Sequence, residues 1–169
     1  MRNMVGAALA AALLAGCGSD GDGGNQAEEE ARAAELQPGE YELSTLVEQV
    51  RSTDDSTPAT ELKAGTPATV TRACVAAGGA VDPAMFAEAE DKCSVTDTYV
   101  RNGRMSVQLK CTRAGKGGNV MQLVDGDFKA DSFEATVLGS TGFAGPGDYE
   151  TTRKVTARRV GDCPVAGQS

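Results

Sequence analysis

The sequence predicts an all-β domain: an antiparallel sheet of about seven short strands, as a sandwich or a partly closed barrel, with one short helix and two disulfides. Three observations indicate this class. Apolar and polar residues alternate in several segments, turn-forming Gly, Pro, Asn and Asp separate those segments, and four cysteines follow residue 36. Alternation with a period of two is typical of half-buried strands, and frequent turns favour antiparallel pairing.

The first two strands flank a polar loop. After Pro38-Gly39, apolar and β-branched residues alternate with Glu and Ser over 41–48, which predicts a strand. Residues 52–66 are rich in Ser, Thr and Asp and predict a loop. A second strand is expected over about 67–74.

The one short helix is expected after Asp82-Pro83. Asp is a favoured N-cap, and Pro is favoured at the first helical position. A helix over 84–91 turns Met85, Phe86 and Ala89 toward the core.

Residues 93–111 predict a β-hairpin, since the odd positions are mainly apolar and the even positions mainly polar. A two-residue turn at Asn102-Gly103 is common for this dipeptide. It would pair Cys93 with Thr112 and place the two cysteines of the hairpin on opposite faces.

A three-residue loop over 101–103, with Gly103 left-handed, gives the hairpin one apolar face. We therefore predict this register, in which three pairs lie opposite each other: Cys93 with Cys111, Val95 with Leu109, and Tyr99 with Met105.

The remaining strands are expected at about 119–128, 132–139 and 149–160. Either Asp125-Gly126 or Ala130-Asp131 turns the chain between the first two. A Gly-rich loop over 139–148 precedes the last strand, whose inward positions include Tyr149, Val155 and Ala157.

The cysteine count favours two disulfides, because an exported chain encounters an oxidising compartment. The hairpin register pairs Cys93 with Cys111 and leaves Cys74 for Cys163. Four thiolates could instead bind zinc, but the sequence has no C-x-x-C spacing.

Export is predicted by the N-terminus. Arg2 precedes an apolar run over 4–15 that is too short to span a bilayer, and small residues end it. Leu14-Ala15-Gly16-Cys17 resembles the lipobox of bacterial lipoproteins. The resemblance implies cleavage after Gly16, lipidation of Cys17 with palmitate among its acyl chains, and membrane attachment through lipid.

The segment that follows Cys17 predicts a flexible tether. Residues 18–36 carry six acidic side chains against Arg32, and Gly-rich acidic composition favours a coil. The chain thus divides into a signal peptide (1–16), a lipidated tether (17–36) and one periplasmic β domain (37–169). Gly18, rather than Asp, follows Cys17; the best-known sorting rule then places the anchor in the inner leaflet of the outer membrane, facing the periplasm.

The domain resembles the bacterial lipoprotein family catalogued as domain of unknown function 3617. The resemblance covers about 37–163, and its most specific part is the four-cysteine frame. It implies the fold and the location but no activity. The matching residues are Pro38-Gly39-Glu40-Tyr41-Glu42-Leu43, Thr71-Arg72-Ala73-Cys74, Asp82-Pro83, Cys93-Ser94-Val95-Thr96, Leu109-Lys110-Cys111 and Arg159-Val160-Gly161-Asp162-Cys163.

The sequence offers little catalytic chemistry. The absence of His excludes Ser-His-Asp and Cys-His catalysis, and a domain charge of −4 argues against nucleic-acid binding. Asp125, Asp127 and Asp131 could hold calcium, although turns also favour Asp. The basic residues of 153–159 either split between the two faces of a strand or guard a sheet edge.

We therefore expect a non-enzymatic module that binds an envelope component or a protein partner, with no catalytic residue, no metal site and no cofactor. The alternative is a carrier of an apolar ligand within a curved sheet. A filled core with an exposed apolar patch favours the first, and a large apolar cavity favours the second.

Overall fold

The computed structural model describes residues 35–88 and 91–164, and seven antiparallel strands dominate them. Two single turns of 3₁₀ helix, Ala77–Gly79 and Pro83–Met85, lie between β2 and β3. None of the helices in the described ranges is long and apolar enough to cross a bilayer. The strands are β1 (Gly39–Ser52), β2 (Thr69–Val75), β3 (Asp91–Arg101), β4 (Arg104–Arg113), β5 (Gly118–Lys129), β6 (Ser132–Phe143) and β7 (Tyr149–Gly161).

All seven strands belong to one sheet, in the order β2-β1-β7-β6-β5-β4-β3. Strands β3 to β7 form a meander. Strand β1 lies between β2 and β7 and pairs with both. The sheet curls into a half-barrel whose edges are β2 and β3. The partly closed barrel is thus confirmed, and the sandwich is not formed.

One face of the sheet, the inner face, carries the core. Alternate residues of β1, β4, β5, β6 and β7 are buried there, including Leu43, Val107, Val124, Val137 and Val155, each with no more than 1% of its surface exposed. Burying a side chain of this size contributes about 1.5–3 kcal/mol. The opposite, outer face carries mostly polar side chains, which alternate along each strand with the buried ones.

Two short pieces of chain cover the inner face. Leu36 and the segment 81–88, which we call the capping segment, join the core cluster of the sheet. Within the capping segment Phe86 is fully buried, and its ring centroid lies 6.1 Å from that of Phe133. These pieces fill the concave side that the half-barrel would otherwise expose.

The helix predicted over 84–91 is wrong in extent. Asp82 does cap the turn, since its carboxylate accepts a hydrogen bond from the Ala84 N–H at 2.9 Å, and Met85 and Phe86 are buried as expected. The turn ends at Met85, and the helix does not extend to Asp91 because that residue already pairs with Arg113 of β4 as the first residue of β3. Ala89 lies outside the described residues.

The hairpin register is confirmed near the cysteines and wrong near the turn. Cys93 lies opposite Cys111 and Val95 opposite Leu109, but a bulge between Val95 and Asp97 then shifts the pairing by one residue. Tyr99 consequently faces Ser106 instead of Met105.

The bulge allows the two-residue turn that the predicted register excluded. Asn102 and Gly103 both have positive φ, 55° and 73°, as a type I′ turn requires. One extra residue in β3 thus reconciles this turn with facing cysteines.

The later strands agree with prediction in position and exceed it in length. Ala130-Asp131 turns the chain between β5 and β6, whereas Asp125-Gly126 lies within β5. Strand β6 continues through Gly139 to Phe143, which shortens the predicted Gly-rich loop.

The two ends of the half-barrel differ in the residues that they contain. We call the end at which the described chain begins the tether end; there the Gln37 N–H donates to the Ala130 carbonyl at 2.8 Å. Cys163 at the same end lies at disulfide distance from Cys74, with Cα atoms 5.7 Å apart. Cys93 and Cys111 form the second pair, with Cα atoms 4.0 Å apart. The opposite, distal end contains the loop 53–68, the turn 114–117 and the loop 144–148.

Candidate functional site

A cluster of buried charges occupies the distal end of the inner face. Arg113, at the last position of β4, is 7% exposed. Its Nε and Nη2 donate to the two carboxylate oxygens of Asp91 at 2.7 and 3.0 Å, and Nη2 also donates to Glu88 at 2.9 Å. Its Nη1 donates to the Ala59 carbonyl. The guanidinium thus joins β3, the capping segment and the loop 53–68.

Glu88 receives further hydrogen bonds from two hydroxyls. The Tyr149 hydroxyl donates at 2.8 Å, and the Thr60 hydroxyl donates at 2.8 Å. Burial and the neighbouring Glu88 charge raise the pKa of Tyr149 above its ordinary value, so the phenol stays protonated as a donor.

A second buried cation lies on β7. Arg153 is 4% exposed, and its Nη2 donates to the Phe86 carbonyl at 2.7 Å and to Gln122 Oε1 at 3.1 Å. Burial lowers the pKa of Arg153. The two arginines balance the charges of Glu88 and Asp91.

This cluster fastens separate elements of the fold to one another. Both Asp91 oxygens and both Glu88 oxygens accept hydrogen bonds from side chains of other elements. Beside it lies a cleft of about 540 Å³ between residues 57–62 and 113–116, whose walls the same bonds hold in place.

The sequence contained a signal for this cluster that the prediction did not use. Arg113, Gln122 and Arg153 each occupy a core-facing position in an otherwise apolar alternation. A polar residue at such a position needs a buried partner, so three of them predict a buried polar network.

The outer face carries a different feature, which we call the outer trough. One row of side chains crosses five strands in register: Gln108 lies opposite Leu123, Leu123 opposite Leu138, Leu138 opposite Thr152, and Thr152 opposite Gln49. At the usual strand spacing this row is about 19 Å long.

The trough has a volume of about 500 Å³ and mixes apolar with amide and hydroxyl groups. Leu138 is 46% exposed and Met121 38% exposed, so the apolar side chains face solvent. The lining residues are Gln49, Gln108, Met121, Gln122, Leu123, Leu138, Gly139, Ser140, Glu150, Thr151 and Thr152. Such a surface can bind a partner without supplying a reactive group.

The predicted lipidation site, Cys17, and the signal peptide lie outside the described residues. The predicted calcium ligands are described but do not form one group. Asp125 and Asp127 lie on the outer face of β5, and Asp131 lies in the following turn. Within residues 35–88 and 91–164, no group of three His, Cys, Asp or Glu side chains could hold a metal ion.

The basic residues of β7 split between the two faces. Arg153 is inside, Lys154 and Arg158 pair with Glu134 and Glu42 on the outer face, and Arg159 pairs with Asp162 at the tether end. Because β7 lies between β1 and β6, these residues do not guard an edge.

Neither the curated proteins nor the solved structures contain a match to this chain. Residues 36–163, which include the whole sheet and all four paired cysteines, match the family described as "Protein of unknown function (DUF3617)". The chain therefore belongs to the DUF3617 family.

Proposed function

We propose that this protein is a lipid-anchored envelope protein, held in the outer membrane and facing the periplasm, that binds a protein or another envelope component without catalysing a reaction. The observation that carries the proposal is the outer trough. There Met121 and Leu138 are exposed beside amide side chains, and the inner face of the same sheet is filled. Clustered apolar groups with a polar rim are typical of binding surfaces.

The proposed anchor rests on the sequence. The apolar N-terminal run and Leu14-Ala15-Gly16-Cys17 support export and lipidation, and two paired cysteine sets support an oxidising compartment. With Leu36 buried at the tether end, residues 17–35 would separate the domain from the bilayer.

The carrier alternative has less support. A ligand inside the half-barrel would have to occupy the space that Leu36, Met85 and Phe86 fill, and each of these is at most 7% exposed. The clefts at the trough and at the distal end are not lined by the apolar core residues of the inner face.

Site-specific photo-crosslinking in intact cells tests the binding surface. A photoreactive residue placed at Leu138 of the full chain should give a discrete crosslinked product, because this side chain projects into the trough. The matched position is Thr156, which is exposed on the outer face beyond the trough. We expect no product there, and we expect Leu123→Arg to abolish the product at position 138.

Two outcomes contradict the proposed surface. One is equal crosslinking at both positions, which indicates random collision. The other is an unchanged product in the Leu123→Arg protein, once circular dichroism has established that this variant keeps its sheet.

A further inference from the structure

A second cleft on the outer face lies near the tip of the β3–β4 hairpin. It has a volume of about 490 Å³, within the range of small-ligand sites. Tyr99, Ser106 and Asp125 form one row in register across β3, β4 and β5, and Arg101, Arg104 and Asp127 form the next row. We call this cleft the tip cleft; its lining residues are Tyr99, Arg104, Met105, Ser106, Asp125, Gly126 and Asp127.

The polar groups of the tip cleft have hydrogen-bonding capacity to spare. Among the described residues, the structure records no side-chain hydrogen bond and no ion pair for Arg104, Asp125 or Asp127. A guanidinium offers five N–H donors, and each carboxylate offers two acceptor oxygens. A ligand with many hydroxyl groups could therefore accept hydrogen bonds from the guanidinium and donate hydrogen bonds to the carboxylates.

The formal charges at the tip cleft cancel. Among the lining residues Arg104 carries one positive charge, and Asp125 and Asp127 carry two negative ones. Arg101, whose guanidinium lies over the Tyr99 ring, adds the second positive charge at the rim of the cleft. A phosphate or carboxylate ligand would be favoured by a net positive site, and an ammonium ligand by a net negative one. Balanced charge favours a neutral ligand.

An aromatic ring borders the same cleft. Tyr99 is 40% exposed, and the Arg101 guanidinium lies 4.6 Å from its ring centroid. This cation–π contact occupies one face of the ring and holds its orientation. Tyr99 thus presents a partly exposed aromatic ring beside the charged groups of the cleft.

We propose that the tip cleft binds a neutral saccharide. A sugar ring presents a face of C–H groups, which packs on an aromatic ring, and a rim of hydroxyls, which donate to carboxylates and accept from guanidinium groups. Tyr99, Asp125, Asp127 and Arg104 supply these partners around one cavity. This inference depends neither on the outer trough nor on lipidation.

Titration calorimetry with the full chain in detergent tests the proposal. The probes are three tetrasaccharides of different charge: neutral chitotetraose, its fully deacetylated cationic form, and anionic tetragalacturonate. We expect chitotetraose to bind and both charged probes to bind at least about tenfold more weakly.

Two variants of one exposed residue separate stacking from folding. Tyr99→Ala should weaken chitotetraose binding at least about tenfold, whereas Tyr99→Phe, which keeps the ring, should stay within about threefold of the native affinity. Met121→Ala, in the outer trough, should leave saccharide binding unchanged.

The proposal is overturned if chitotetraose shows no binding at about 10 mM, if a charged probe binds more tightly than the neutral one, or if Tyr99→Ala binds like the native protein. Because Leu138 crosslinking reports only on the outer trough, failure of either proposal leaves the other one standing.

Discussion

A guanidinium takes the place of an apolar side chain at the end of β4. Arg113 follows Met105, Val107, Leu109 and Cys111 at the inward positions, and it is nearly as buried as they are. Arg113 forms ion pairs with Asp91 and Glu88. The attraction between these charges offsets the free-energy cost of removing each of them from water, and it does so only while all three side chains are present.

Arg113→Leu should destabilise the protein strongly, because it leaves the carboxylates of Asp91 and Glu88 buried without their cation. Breaking a buried pair in this way costs about 3–5 kcal/mol of unfolding free energy. Urea denaturation measures the loss. The control is Arg51→Leu, which breaks a pair with Glu150 whose side chains are about half exposed, and it should cost less than about 1 kcal/mol. Equal losses in the two variants would contradict the structural role of Arg113.

Tyr149 should make stability decline at alkaline pH. Its pKa is raised in the folded protein, so the folded state holds the phenol proton more tightly than the unfolded chain does. This contribution is complete below the unfolded-state pKa of about 10 and is lost as the pH rises above it. In urea denaturation at a series of alkaline pH values, Tyr149→Phe should flatten the decline. A decline of the native steepness in Tyr149→Phe would assign it to other groups.

At this scale the sequence predicts which positions face inward but not how a polar inward residue finds its partners. Arg113 and Arg153 were visible as interruptions of an apolar alternation. Their partners Glu88 and Phe86 lie in the capping segment, 25 residues from Arg113 and 67 residues from Arg153 respectively, so the pairing could not be deduced from spacing.

Among the elements, the β3–β4 hairpin shows how two local preferences are reconciled. Asn102-Gly103 favours a two-residue turn, and the apolar face with its cysteines favours another register. Both persist because β3 contains one bulged residue between Val95 and Asp97. Bulges have no compositional signal comparable to Asn-Gly, which is why the turn was predicted wrongly while the cysteine pair was predicted correctly.

The pairing of β5 with β6 depends on Gly118. Its φ is +104°, and a Cβ there would collide with the Gly142 carbonyl oxygen. Gly118→Ala should therefore cost more than about 1 kcal/mol, because the backbone would have to shift. Gly142→Ala is a close control on the facing strand, since a Cβ there meets no atom within 4 Å, and it should change stability by no more than about 0.5 kcal/mol. Thermal unfolding compares them, and similar melting temperatures would count against the close approach at Gly118.

Over the whole molecule, the two cysteine pairs enclose loops of very different length. Cys74 and Cys163 are 89 residues apart and join the edge strand β2 to the chain end, whereas Cys93 and Cys111 are 18 apart within one hairpin. Paired Cys→Ala substitutions should cost about 4–5 kcal/mol for the first pair and about 3 kcal/mol for the second in the chain-entropy model. Urea denaturation under oxidising conditions measures both, and a first-pair variant as stable as the native protein would show that this cross-link is not formed.

The overall architecture was partly accessible to prediction. Seven alternating segments gave the strand number, and the hairpin register gave the cysteine pairs. The insertion of β1 between β2 and β7 has no local signal, because its pairing with β7 joins residues 97 to 121 positions apart. The outer trough includes Gln49 of β1 and depends on that insertion. The tip cleft depends on the bulge in β3, which places Tyr99 opposite Ser106, so neither surface could be located beforehand.

We propose that this half-barrel is exported, anchored by lipid and cross-linked in an oxidising space. Mass spectrometry of peptides from the membrane-extracted protein, digested without reduction, tests all three parts together. We expect an N-terminal peptide that begins at Cys17 and carries acyl chains, together with linked peptides for Cys74–Cys163 and Cys93–Cys111. An unmodified peptide that still begins at Met1, with all five thiols reduced, would contradict it.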